Sequence, residues 1–278
     1  MCTCITLTKD DQGGYSNINT HEMIVPLKKP DFWYHALMTF FPKKLICETS
    51  TVAYGDMSFN NNRAPVVIHN RGRFVTSCGI SLNSYVPTLC NHTDVIATVT
   101  RSHAICETKE PQGGVVGDAI VTQEKGIALF LLTADCLPIC IFDPITETIA
   151  LAHVSRVTFG KQLPQKTIRY MEDTFDVTPE TVHVFIAPHI HKKSYSFPLP
   201  LIETDSLLLP YMEEKEGRVH IDLTFACVQA LTSTGVLRDN IAISPLDTAD
   251  SEEYYSYFKM KQTEGPTTAR IATVLMMK

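Results

Sequence analysis

The 278-residue chain contains no apolar run near the roughly 20 residues that a membrane-spanning helix needs. Its longest, Gly126 to Cys140, is interrupted by Thr133, Asp135 and Pro138. Basic residues are not in excess either: 24 Lys and Arg stand against 30 Asp and Glu, a net charge of -6. That balance argues against a general nucleic-acid binder, because nucleic-acid backbones are held by basic surfaces. No G-x-G-x-x-G follows a strand pattern and no Walker-type loop is present, so nothing supports a nicotinamide or ATP site. C-x-x-C and paired zinc-finger spacings are missing. The N-terminus lacks the basic start and apolar stretch of a secretory leader. Disorder is excluded as the main state by a hydrophobic content of 44% against 19% charged residues.

What is present fits one large α+β domain. Nine cysteines at irregular spacing do not form a disulfide framework, which points to reduced thiols in a cytoplasm. Residues 1–45 are polar and carry Pro26, Pro30 and Pro42. They are expected to form an N-terminal extension packed on a main body spanning 46–278.

Pro65 to Gly79 fits a helix, with Pro in the first turn and Gly just past the end. Val95, Ala97 and Val99 alternate with polar residues as in a half-buried strand. Ile127–Thr133 is continuously apolar, as a strand buried on both faces should be. Leu137–Phe142 and Thr148–Ala152 flank an Asp143-Pro144 turn and predict a hairpin. Ile168, Met171 and Phe175 share one helix face after Pro164. Val182, Val184 and Ile186 alternate as a strand, Asp222 can cap a helix that Gly235 ends, and Arg270–Met276 reads as a closing strand. Adjacent strands joined by a short turn favour α+β over a doubly wound parallel sheet.

Three fragments carry the chemistry: Ser102-His103-Ala104, Thr133-Ala134-Asp135-Cys136-Leu137-Pro138 and Ala150-Leu151-Ala152-His153. Cys136 sits in the break between two strands and His153 near the end of the next, so a hairpin can bring them together. One thiolate and two imidazoles with an open fourth position make a catalytic type of zinc site. On spacing alone, a buried cysteine and a structural histidine explain the same residues. His183, His189 and His191 form a second histidine group, the last two facing one side of an extended segment.

These fragments resemble the laccase-domain family, first described as multicopper polyphenol oxidases and now regarded as zinc-dependent purine nucleoside phosphorylases with adenosine deaminase activity. The family pattern runs Val-His-Gly, Ala-Asp-Ala-Leu-Val-Thr, Thr-Ala-Asp-Cys-Leu-Pro and Ala-His-Ala-Gly-Trp-Arg-Gly. Here the counterparts are Ser102-His103-Ala104, Gly117 to Thr122, an intact Thr133–Pro138 string, and Ala152-His153-Val154-Ser155-Arg156. Ser58-Phe59-Asn60, Asn70-Arg71, Ile186 through Tyr195, Asp222-Leu223 with Gln229, Tyr255-Ser256-Tyr257 and Gly265 to Arg270 match further segments in order. The resemblance implies a single domain of mixed sheets flanked by helices, similar to cysteine hydrolases.

It further implies zinc on His103, Cys136 and His153, the same three acting in catalysis. Asn60, Arg71, Tyr195 and Lys259 are the expected substrate contacts, and the expected partners are a purine nucleoside and phosphate, with no nucleic acid and no membrane. Departures are concentrated around anion handling. Gly-Trp-Arg-Gly is gone, Arg156 stands one place early, and an Arg-Arg pair has become Phe258-Lys259. Deamination is therefore expected to survive better than phosphorolysis. Alternatives are a Cys-His thiol hydrolase or deamidase with Cys136 as nucleophile, a degenerate non-catalytic member, and a copper-dependent polyphenol oxidase, with copper the less suited metal.

Overall fold

In a computed structural model, residues 7–9, 15–17, 44–60, 64–105, 113–199, 206–263 and 268–278 are described. Most of the expected extension, 1–45, lies outside them; within it, β1 (Leu7–Lys9) pairs antiparallel with β2 (Tyr15–Asn17).

Two mixed sheets packed face to face build the body. The first runs β3 (Leu45–Thr49), β16 (Ile271–Met277), β8 (Ala128–Thr133), β4 (Tyr85–Leu89), β6 (Val115–Val116) in spatial order. The second runs β15 (Ile241–Ile243), β11 (His183–Ile186), β9 (Leu137–Asp143), β10 (Thr148–Val154), β7 (Ala119–Thr122), β5 (Ile96–Thr98). A small third sheet holds β12 (Ser196–Pro198), β14 (Arg218–Ile221) and β13 (Met212–Lys215).

Helix α1 (Ala64–Ser77) covers the outer face of the first sheet, packing Phe74 and Val75 on Phe130 and Val274. Helices α3 (Leu163–Phe175) and α4 (Leu223–Thr232) cover the outer face of the second. The result is four layers: helix, sheet, sheet, helices. It explains why β8, β9 and β10 are apolar without alternation. On β9, Ile139 and Ile141 face the α3/α4 core while Cys140 and Phe142 face the other sheet. Both faces of the strand are dry.

The hairpin and its Asp143 turn are as the sequence predicts. The register runs from Thr148↔Asp143 to Val154↔Leu137, and Asp143 Oδ2 accepts bonds from Thr146 N at 2.8 Å and Thr146 Oγ1 at 2.7 Å. Helix α4 is capped by Asp222, which accepts from Phe225 N at 2.8 Å. Among the described residues no helix is long and apolar enough to cross a membrane. The six described cysteines form no disulfide with one another.

The link between the sheets positions the site. β8 ends in the first sheet at Thr133 and β9 begins in the second at Leu137, so Ala134-Asp135-Cys136 is the crossing. Asp135 takes a left-handed φ of 85°, which costs little for Asp compared with bulkier residues. Its carboxylate is pinned by Thr248 Oγ1 at 2.7 Å and by Phe258 N, in α5 (Tyr257–Thr263), at 2.6 Å, while Ile190 N bonds its carbonyl at 3.0 Å. Burial pushes this carboxyl up, and those hydrogen bonds only partly offset the effect.

Candidate active site

At the open end of the hairpin, His153 lies across from Pro138, with Cys136 just beyond the strand. His153 is buried and its ring is hydrogen-bonded by the thiols of Cys136 and Cys90. Its Nδ1 lies 2.8 Å from Asp118 Oδ1, and its backbone N donates to Asp118 O at 2.7 Å. Asp118 is fully buried at the start of β7, and its Oδ2 accepts from Asn91 N at 3.3 Å, Thr93 N at 2.7 Å and Thr93 Oγ1 at 2.8 Å. Burial pushes the Asp118 carboxyl up, but the bonds from His153 and Thr93 outweigh it and bring it down to about 2. Burial likewise opposes the charged form of His153. The Cys136 charge and the bonds to Asp118, Cys136 and Cys90 prevail, and the imidazole titrates well above its ordinary value.

The second imidazole is His92. It follows β4 in a left-handed conformation, φ 53°, within the loop that Asp118 holds. Its ring lies 5.1 Å from the His153 ring, centroid to centroid, and its Nδ1 is 3.0 Å from Ser155 Oγ. Each histidine thus has Nδ1 engaged, and the other ring nitrogen of His153 faces the thiols of Cys136 and Cys90.

His103, expected among the zinc ligands, is not brought to this cluster. It sits on an exposed 3-10 turn, Arg101–His103, with Nδ1 taken up locally by Thr100 N and Thr100 Oγ1 at 3.1 Å. β5 runs parallel to β7 away from Asp118, pairing Ile96 with Ala119 and Thr98 with Val121. Arg101 then bonds Glu124 and Lys125 at the far end of β7. At about 3.3 Å per strand residue the separation from Asp118 is about 15–20 Å.

Cys90, His92, Cys136 and His153 line one cavity of about 760 Å³, together with Asn60, Arg71 and Tyr195. Lys259 is not part of this wall. It reaches Glu252 Oε1 at 2.6 Å on the surface. Arg71 is buried, donates Nε to Met57 O at 2.9 Å and lies 4.3 Å over the Phe59 ring. Tyr195 packs edge-to-face on Phe197 and Phe258, and burial raises its hydroxyl to about 12. Arg156 and Arg270 also line the cavity.

His92 had a topological signal that Pro87 masks. β4 pairs parallel with β8, Tyr85 to Ala128 and Pro87 to Phe130, so the chain after β4 emerges beside the Thr133–Cys136 crossing. A proline in a sequence argues against a central strand. Without β4, Asn91-His92-Thr93 has no assigned place.

Fold and pocket define a class: an α+β domain whose two sheets open on a cysteine–histidine–carboxylate cluster beneath an arginine-lined cavity. Residues 48–278 match the family described as multi-copper polyphenol oxidoreductase laccase, and the chain belongs to it. It is 26% identical over 213 residues to a protein named purine nucleoside phosphorylase from Corynebacterium glutamicum, covering 76% of this chain and 81% of that one. To the purine nucleoside phosphorylase YlmD of Bacillus subtilis it is 22% identical over 218 residues, covering 76% and 77%. Among solved structures, YlmD from Geobacillus stearothermophilus superposes with a TM-score of 0.77 at 23% identity, covering 85% of this chain and 93% of that one. YfiH from Bacillus licheniformis gives 0.73 at 19% identity, covering 84% and 93%. These two likenesses concern the fold.

Proposed function

We propose that the chain is a zinc-dependent purine nucleoside phosphorylase with His92, Cys136 and His153 as the metal ligands. The observation that carries this reading is the convergence of one thiol and two Nδ1-engaged imidazoles, one of them on a buried carboxylate, in a cavity large enough for a nucleoside. The relatives' names support the substrate class. One thiol and two imidazoles suit zinc, and Cys90, Asp118 and His153 hold their ligand atoms within 4.8 Å of one another, which brings a second thiol and a carboxylate to the same place. Copper is less suited, since no methionine is among the described residues lining the cavity. Six described cysteines with no disulfide among them favour the cytoplasm as its compartment.

In phosphorolysis an oxygen of phosphate bonds to C1′ of the ribose, the C1′–N9 bond breaks, and the departing purine takes up a proton. Zinc, when bound, supplies Lewis-acid charge at the cavity floor. Asp118 fixes the His153 ring, and Ser155 fixes that of His92. Tyr195, Leu223 and Tyr257 offer apolar and hydroxyl contacts to the nucleoside. Arginines in the cavity favour phosphorolysis over deamination, opposite to the ranking that the sequence departures suggest.

The test is a panel of adenosine, inosine and guanosine, each with and without phosphate. Free base released only with phosphate, and lost on metal removal, supports the reading. Conversion of adenosine to inosine with no base release contradicts it.

A second reading has its own observation. Cys136, His153 and Asp118 also bring a thiol, an imidazole and a carboxylate together, with the imidazole titrating above its ordinary value. That is also the arrangement of a thiol hydrolase with Cys136 as nucleophile.

A further inference from the structure

Two hydroxyls flank Arg156-Val157. Ser155 and Thr158 stand where the pattern Ala-His-Ala-Gly-Trp-Arg-Gly has its two glycines, His153 being the shared histidine. They open the short helix α2 (Arg156–Gly160), with Ser155 as its cap residue and Lys161 just past its end. Both hydroxyl residues are buried, Thr158 completely, so the Thr158 hydroxyl has to find its partners within the protein.

Each hydroxyl has one proton to give. Thr158 Oγ1 lies 2.9 Å from His153 O and 3.3 Å from Ser155 O, and a carbonyl only accepts. The Thr158 proton therefore goes to a carbonyl. Toward its other neighbours Thr158 Oγ1 accepts, from Ser155 N at 2.8 Å and from Ser155 Oγ at 3.2 Å. Ser155 Oγ in turn accepts from Thr158 N at 3.1 Å. With its own proton directed at Thr158, it can only accept at its remaining contact, His92 Nδ1, 3.0 Å away. The proton of that bond has to come from the imidazole. A neutral His92 then carries its hydrogen on Nδ1 and its lone pair on Nε2. The opposite tautomer would turn the Ser155 proton to the ring and leave two hydroxyl oxygens facing each other with no hydrogen between them. The backbone of His92 is held as well: Lys161 Nζ donates to its carbonyl at 2.6 Å, and Asp118 Oδ2 accepts from Asn91 N and Thr93 N on either side.

We propose that Thr158 is a positioning residue which, acting through Ser155, fixes His92 as the Nδ1–H tautomer and keeps its Nε2 free of hydrogen. The chain of hydrogen bonds starts on the ring of one histidine and ends on the carbonyl of the other, so α2 couples His92 to His153. That the Nε2 lone pair serves zinc rests on the reading of His92 as a ligand; the tautomer itself does not.

Nitrogen-15 NMR of the histidine rings reads the tautomer directly. It is recorded on the full chain after metal chelation, at about pH 8, where an ordinary imidazole is neutral. His92→Gln identifies the signal. Wild type is expected to carry the hydrogen on Nδ1. Thr158→Val removes the acceptor for the Ser155 proton, and most of His92 is expected to shift to the Nε2–H form. Thr158→Ser returns the hydroxyl and is expected to return the wild-type signal, which a merely structural role would not do. Thermal melting checks folding. Ser155→Ala, which removes the acceptor at the ring itself, is expected to lose the Nδ1–H preference and serves where Thr158→Val does not fold. Zinc affinity, by chelator competition, is expected to fall with the fraction left as Nδ1–H, about tenfold for a nine-tenths shift. Hydrogen on Nε2 in wild type, or an unshifted signal in the folded variants, overturns the proposal. A shifted tautomer with unchanged zinc affinity upholds it and overturns His92 as a ligand instead.

Discussion

The carboxylate of Asp118 holds His153 Nδ1 through one oxygen and the 91–93 loop through the other, so one side chain sets both imidazoles. Asn at this position keeps the size but exchanges an acceptor oxygen for a donor. Asp118→Asn is expected to weaken zinc binding about ten- to a hundredfold, as loss of an outer partner of a ligating histidine does. Competition against a coloured chelator measures this, and unchanged affinity would contradict the role given to Asp118. The two candidate histidines separate as cleanly. His92→Ala should lose zinc, whereas His103→Ala, altering only an exposed turn, should keep wild-type zinc content by elemental analysis. Retention by both variants would remove His92 from the ligand set. Cys136 and His153 were legible in the sequence because the hairpin that joins them is local. The place of His92 beside them was not, because it depends on a long-range parallel pairing.

Elements with strong patterns stand where the sequence puts them: α1, the β9–β10 hairpin, α3 from Leu163, α4 behind Asp222 and β16. Among those that escaped are β4, hidden by Pro87, and the short strands β12 to β14, each too brief for a period to register. The segment after β11 shows how a loop is tied to a helix. His189 is fully buried, with Nδ1 2.7 Å from Ala187 O and Nε2 2.7 Å from Thr224 Oγ1 on α4, and its ring lies 4.7 Å from that of His191. Burial brings this imidazole from 6.5 down to about 3. Its folded-state value is thus below its unfolded one, and only the unfolded chain binds the proton between them. The stabilisation is complete above pH 6.5 and is lost progressively as pH falls toward 3. Urea midpoints are expected to drop across that window, and less steeply in His189→Gln. Equal slopes in the two proteins would assign acid sensitivity elsewhere.

Across the whole molecule, two sheets covered by helices leave an opening where β4, the β8–β9 crossing and β10 end together, and the cluster occupies it. The opening is therefore set by the sheet topology, with the thiols of Cys90 and Cys136 and the rings of His92 and His153 on its wall. At the centre of this opening, the proposed role of Cys136 is that of a metal ligand and not of a nucleophile. Alkylation of the active, as-isolated protein tests it most directly, with zinc and activity measured in the same samples. Expected are about one zinc per chain, a Cys136 that resists iodoacetamide until the metal is chelated, and activity lost with the metal. A zinc-free protein that is fully active and is inactivated by alkylation of Cys136 would contradict it.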